Sequence, residues 1–321
     1  MTSIRGHIEA TRRPGELGVH SMDSFNLIVP DLAVAHRFYS AFGLEVREEG
    51  NNLGLYTAGN AHRWASISAG RQKRLNYLSF GVFEDDFDRF KQHIEKQGQT
   101  LIDPPSASES NGLWLRDHNG MLIELRVAEK SSPSSKSSVD NRSGLPGVAN
   151  APKRSTVQVV RPRRMAHVLC FTVNIQEAIN FYSRVLGLRM SDRSGDGVCF
   201  MHGIHGSDHH LLAFAKSNAP GLHHSSWDVG SIEEIGLGAM QMTDRGFSKG
   251  WGLGRHVLGS NYFHYVRDPW GSHCEYSSDI DYIPADCDWK GADHAPEDSP
   301  ISIWGPEPPA DFVHNYEAEK V

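Results

Sequence analysis

The sequence predicts an α+β fold of two tandem domains, each built from two βαβββ units whose strands form a curved, barrel-like mixed sheet around a site. Three observations carry this expectation. The chain has 321 residues, more than the ~250 at which a single core stops growing. Residues 129–160 are rich in Ser, Pro, Gly and Lys, with almost no large apolar side chain before Val157, which is the composition of a linker. The blocks on either side, 20–128 and 161–290, match one another at three ordered places, and such internal duplication sets the architecture.

The matches are local and in the same order. SFNLIVPDLAVAHRFYSAFGLEV from Ser24 parallels HVLCFTVNIQEAINFYSRVLGLRM from His167. RLNYLSFGV from Arg74 parallels GLHHSSWDV from Gly221, and LWLRDHNGMLIEL from Leu113 parallels FHYVRDPWGSHCEY from Phe263. In the last pair Asp117 precedes Glu124, and Asp268 precedes Glu275, by the same seven residues.

Within the second block AHVLCFTV is a short β-branched run and reads as a strand. Ile175, Ala178, Ile179, Tyr182, Val185 and Leu186 then recur at helical spacing until Gly187 stops the helix. VCFMHG and HHLLAFA follow as strands. The pattern restarts at LHHSSWDV, with a helix expected over Ile232–Thr243 and strands near Tyr262–Val266 and Ser272–Ser277. Residues 1–19 form an N-terminal extension. The Pro- and acid-rich residues 291–321 form a tail expected to pack little core of its own.

Composition narrows the function. With 32 Lys+Arg against 39 Asp+Glu and a net charge of −7, sustained binding to nucleic acid or to an anionic membrane is disfavoured. No run approaches the ~18 apolar residues of a membrane span, and the opening MTSIRGHIEATRRPGELG lacks the apolar centre of a secretory signal, so a cytoplasmic protein is expected. Cys170, Cys199, Cys274 and Cys287 show no C-x-x-C spacing. The excess lies in 18 histidines, the commonest transition-metal ligands.

Three residues stand at positions where metal ligands could converge. His167 opens the first strand of one unit, His224 holds the equivalent place in the next, and Glu275 lies on the last strand. Two imidazoles and a carboxylate make the facial set used by non-haem Fe(II), with positions left open for substrate and dioxygen. Zinc hydrolases use similar ligands, so the triad alone leaves the metal undetermined. In the first block the corresponding residues are Ser24, Tyr77 and Glu124. One carboxylate cannot hold the ion, and that block is expected to be metal-free and structural.

In this respect the chain resembles the type I extradiol ring-cleavage dioxygenases of the vicinal oxygen chelate superfamily, most specifically through GRHVLGSNYFHYVRDPWGSHCEY (Gly254–Tyr276). The family has a His, a Tyr nine residues on and the Glu ligand ten beyond, and His256, Tyr265 and Glu275 keep both intervals. His210 lies fourteen residues before His224, where the family carries an active-site His. The resemblance implies His167, His224 and Glu275 as ligands of Fe(II), with Mn(II) possible, and His210, His256 and Tyr265 as catalytic residues. A pKa near neutrality would suit His210 to both acid and base roles. It also implies a catechol-type substrate and O2 as partners, ring cleavage beside the two hydroxyls, and a homo-oligomer.

Within the doublets the resemblance selects His224 over His223 and His210 over His209, and strand alternation would turn His223 and His224 to opposite faces. Trp251, Leu258 and His209 are candidates for the substrate pocket, and Trp251 and Leu253 suggest apolar walls, while Lys249 and Arg255 leave a charged substituent open. His202, His205, His264 and His273 match no role. Three rivals remain: a metal-free module binding an aromatic ligand, a glyoxalase- or epimerase-like isomerase, and a dioxygenase like the hydroxyphenylpyruvate enzymes.

Overall fold

A computed structural model describes residues 10–105, 110–140, 143–297 and 301–318. In the first domain β1 (Ser21–Val29), α1 (Leu32–Ala41), β2 (Glu45–Glu49), β3 (Asn52–Tyr56) and β4 (Arg63–Ala69) make one βαβββ unit. β5 (Arg74–Val82), α2 (Phe87–Lys96), β6 (Leu113–Arg116) and β7 (Leu122–Val127) make the second. That second unit departs from expectation: among the described residues only two strands follow its helix, with a lone bridge between Ile102 and Trp114 beside them. The seven strands form one mixed sheet in the order β2-β3-β4-β1-β5-β7-β6.

The second domain runs through β8 (Arg164–Thr172), α3 (Ile175–Leu186), β9 (Arg189–Ser194), β10 (Val198–His202), β11 (Ser207–Asp208) and β12 (Leu212–Lys216). Its second unit is β13 (Gly221–Asp228), α4 (Ile232–Asp244), β14 (Gly250–His256), β15 (Tyr262–Arg267) and β16 (His273–Ser278). Then come β17 (Tyr282–Ile283), β18 (Ala292–Asp293) and β19 (Ser302–Trp304). Ten strands share a sheet ordered β18-β9-β10-β12-β8-β13-β16-β15-β14-β19. The two units meet where β8 pairs antiparallel with β13.

Local chemistry sets the helix limits. Asn174 and Ser231 cap α3 and α4 by accepting from the backbone N–H groups of Glu177 and Glu234. Gly187 ends α3 at φ +75°, where an added Cβ would stand 2.4 Å from the carbonyl oxygen of Leu17. The apolar face of α3, including Tyr182, Val185 and Leu186, belongs to a buried cluster with Val168, Cys170 and Phe214 of the sheet. That cluster continues into the first domain, so the domains share one core. Tyr276 stacks on Phe42 at 3.9 Å and donates to its carbonyl oxygen at 2.8 Å, and Tyr182 donates to Asp117 Oδ2 at 3.0 Å.

Two strands and the tail were not foreseen. β9 (RMSDRS) is polar and β14 (GWGLGRH) alternates glycine, so neither carries the apolar alternation of a strand. The tail is far from inert. It supplies both edge strands of the large sheet, buries Phe312 and Asn315, and places Glu317 in a buried ion pair with Lys73 of the first domain. Among the described residues no helix is long and apolar enough to cross a membrane.

Candidate active site

One row of residues across the large sheet assembles the site. His167 on β8 lies opposite Ser226 on β13, Ser226 opposite Glu275 on β16, and Glu275 opposite Tyr265 on β15. His224 sits two residues before Ser226 and so shares its face. Ser226, small and fully buried, stands between the two flanking ligands and leaves them room to converge.

The three candidate ligand atoms form a tight triangle. His167 Nε2 is 3.2 Å from His224 Nε2 and 3.2 Å from Glu275 Oε2, and His224 Nε2 is 3.6 Å from Glu275 Oε2. Three donors each about 2.1 Å from an ion at right angles would stand about 3 Å apart. Glu275 Oε2 is buried and takes no hydrogen bond, whereas Oε1 accepts from Asn261 Nδ2 at 3.1 Å. The free oxygen therefore faces the two imidazoles. Burial alone would raise the Glu275 carboxyl; the imidazoles of His167, His256 and His224 outweigh it and hold the group well below the usual range. Burial, reinforced by His223, pushes His224 well below its ordinary value and keeps it neutral, the form that ligates. The donor set and spacing fit a divalent transition metal, and His167, His224 and Glu275 are the one group of this kind among the described residues.

His223 corrects the expectation from strand alternation. The register of β13 slips between Leu222 and His224, so His223 is the extra residue of a bulge and the two imidazoles meet, Nδ1 to Nδ1, at 2.7 Å. His223 Nε2 lies 2.9 Å from the carbonyl oxygen of Phe312, which can only accept, so His223 carries its proton there. Burial pushes the His223 imidazole down to about 4, so it is neutral and its Nδ1 is an acceptor. His224 then donates from Nδ1, leaving the Nε2 lone pair for the metal.

The same logic fixes the substrate side. His256 Nδ1 donates to the carbonyl oxygen of Ile301 at 2.7 Å, so its Nε2 accepts the Tyr265 hydroxyl at 2.9 Å. Burial and then Glu275 raise the Tyr265 phenol well above its ordinary value, and it stays protonated. His210 lines the cavity, its ring 4.0 Å from that of His167. The sequence suggested a pKa near neutrality; instead burial and the imidazoles of His167, His209, His224 and His256 push it well below the ordinary value.

Two of the three pocket candidates lie elsewhere. Leu258 lines the cavity. Trp251 is buried behind it, stacked parallel to Tyr265 at 5.6 Å and donating through Nε1 to the carbonyl oxygen of Pro306. His209 is one layer back, donating to Asp192. His202, His205, His264 and His273 do not line the cavity, and Arg255 is committed to Ser260 and Tyr262. Sequence reasoning missed Asn261, His223, Ile301 and Phe312, which bear on the site through a carboxylate, a bulge and two backbone carbonyls. None of these leaves a residue-type signal.

The family model described as Glyoxalase/Bleomycin resistance protein/Dioxygenase superfamily matches residues 21–125 and again 164–276. The chain belongs to this superfamily. The curated relatives of this superfamily member include Metapyrocatechase 2 of Cupriavidus necator, 51% identical over 94% of this chain and 93% of the relative. A manganese-dependent 2,3-dihydroxybiphenyl 1,2-dioxygenase of Geobacillus genomosp. 3 is 24% identical over 82% of this chain and 86% of its own. Among solved structures, an extradiol ring-cleaving dioxygenase of B. fuscum superposes with a TM-score of 0.73 at 18% identity, covering 95% of this chain and 85% of that one, a likeness of fold.

Proposed function

We infer that this superfamily member is an extradiol dioxygenase, cleaving a catechol ring beside its two hydroxyls with both atoms of O2. The observation that carries this reading is the triangle of His167, His224 and Glu275, which meets through His167 a cavity that also presents His210, His256 and Tyr265. His167, His224 and Glu275 hold Fe(II), with Mn(II) the other candidate. Bound there, the ion would hold substrate and dioxygen in neighbouring positions and pass electrons between them. Two neutral imidazoles and one carboxylate leave a net charge of about +1 on a divalent ion, which favours a catecholate monoanion. Tyr265 and His256 hold the substrate oxygens, and His210 serves the dioxygen side as acid and base. A metal-free binding module would have no use for a buried carboxylate oxygen without a hydrogen bond, turned toward two imidazoles.

The cavity of about 330 Å³ limits the substrate. Its walls include Leu169, Val198, Phe200, Leu258, Phe312 and Val313, and no Lys or Arg is among the described residues that line it. An unsubstituted or apolar-substituted catechol fits such walls, and a carboxylated one would lose the solvation of its charge without a partner. The enzyme acts in the cytoplasm as a homo-oligomer, and the exposed Ile303 and Trp304 on edge strand β19 give a surface for assembly. The test is anaerobic Fe(II) reconstitution, then catechol, phenyl-substituted catechol and a carboxylated catechol followed by oxygen uptake and yellow ring-opened product. The reading expects turnover with preference for the first two. No oxygen uptake with any diol would refute the activity, and a preference for the carboxylated ring would refute the apolar pocket.

A further inference from the structure

Both histidine doublets of the second domain share one construction, and in His209–His210 it reaches a carboxylate. His209 Nδ1 lies 3.0 Å from His210 Nδ1, and His209 Nε2 lies 2.8 Å from Asp192 Oδ2. His209 is 1% exposed and Asp192 6%. The other oxygen of Asp192 accepts from His294 Nε2 at 2.6 Å and from the backbone N–H of Ala292 at 3.1 Å, both in the tail. Burial works against the charge of Asp192, but hydrogen bonds from His209 and His294 outweigh it, and the carboxyl lies below its usual range.

The proton positions follow from the ends of the chain. An ionised carboxylate only accepts, so a His209 ring carrying a single proton holds it on Nε2 and offers a lone pair at Nδ1. His210 Nδ1 must then be the donor, and its Nε2 is left as an acceptor on a ring that lines the cavity. We propose that Asp192, acting through His209, is the positioning residue that fixes the tautomer and orientation of His210, so that its Nε2 accepts a hydrogen bond from a hydroxyl in the cavity. The proposal rests on the dioxygenase reading for the meaning of that hydroxyl. The tautomer itself does not depend on it.

Asp192→Asn is the informative change, because it keeps the shape and reverses the direction. Two N–H donors from the tail hold the amide oxygen, so the NH2 group turns toward His209. His209 must then carry its proton on Nδ1, and His210 must accept at Nδ1 and carry its own on Nε2. The expected result on the Fe(II)-loaded chain is a kcat about 100-fold or more lower, with iron content unchanged and KM for catechol within about threefold. Asp192→Glu, which restores an acceptor, should recover turnover to within about tenfold of wild type. A kcat for Asp192→Asn within threefold of wild type would overturn the proposal, as would a parallel loss of iron and activity in both variants.

A second measurement needs neither turnover nor a variant at Asp192. Nitrogen-15 NMR of the metal-free full-length chain separates protonated from unprotonated imidazole nitrogens, with His210 assigned by its loss in His210→Phe. The proposal requires the His210 proton on Nδ1, and a proton on Nε2 would contradict it. If wild type turned over no catechol while NMR still placed the proton on Nδ1, the dioxygenase reading would fall and the positioning by Asp192 would stand.

Discussion

His223 and His224 touch through their Nδ1 atoms at 2.7 Å, and this contact orders a candidate metal ligand from behind. The backbone carbonyl of Phe312 fixes the proton of His223, and His223 in turn fixes that of His224. His223→Phe removes the acceptor while retaining a ring of similar size. It should weaken metal affinity by about 10–100-fold, the usual cost of losing such an outer partner. Competition with a chelator, followed by metal analysis, measures this directly. Affinity equal to wild type would mean that His224 is oriented by something else.

Tyr265 donates to His256 and would face the diol once substrate is bound. Tyr265→Phe should keep iron content and fold, and lower kcat/KM by about 10–150-fold, as expected for a hydrogen bond to a charged oxygen worth ~1.5–3 kcal/mol. An unchanged rate on every catechol would reduce Tyr265 to a packing residue beneath Trp251 and Phe312.

His210 is neutral and lies outside the ligand triangle. His210→Phe should therefore leave metal content near that of wild type and slow turnover by about 100-fold or more. Loss of the metal together with activity would make His210 a ligand.

Acid should loosen the contact between the domains. Burial pushes His20, His202 and His205 down to about 4. His205 contacts the backbone of Gly18, and both His205 and His20 pack on Phe83. As pH falls below about 6.5 the unfolded chain takes up protons that these folded sites refuse, so stability declines until about pH 4, where the folded sites also titrate. Each buried site contributes roughly 1–3 kcal/mol to that loss. Urea midpoints at pH 7.5 and 5 should differ accordingly, and His205→Gln should flatten the difference. A midpoint insensitive to pH over this interval would contradict the neutral burial of these rings.

Much of this was legible in the sequence because duplication exposes position. His167 and His224 stood out as departures from Ser24 and Tyr77, and Glu275 as the counterpart of Glu124, at matched points of a repeat, and the structure brings His167, His224 and Glu275 to one triangle. What was not legible depends on register and on backbone atoms. Nothing in LHHSSWDV announces a bulge at His223, and the carbonyls of Ile301 and Phe312 have no residue signature. The tail looked inert because its prolines and acids hide single anchors, Phe312 in an aromatic cluster with Trp251, Phe263 and Tyr265, and Glu317 against Lys73. Trp251 was misplaced for a related reason. Glycines at 250, 252 and 254 read as a loop but form strand β14, which turns the indole inward behind Tyr265.

Iron content and catechol-dependent oxygen consumption, measured together on wild type and Glu275→Ala after anaerobic Fe(II) loading, test the central claim most directly. The account predicts close to one iron per chain and oxygen uptake matched to ring-opened product in wild type, with both iron and uptake lost in the variant. Iron retained by Glu275→Ala, or a loaded wild type that consumes no oxygen with any catechol, would contradict it.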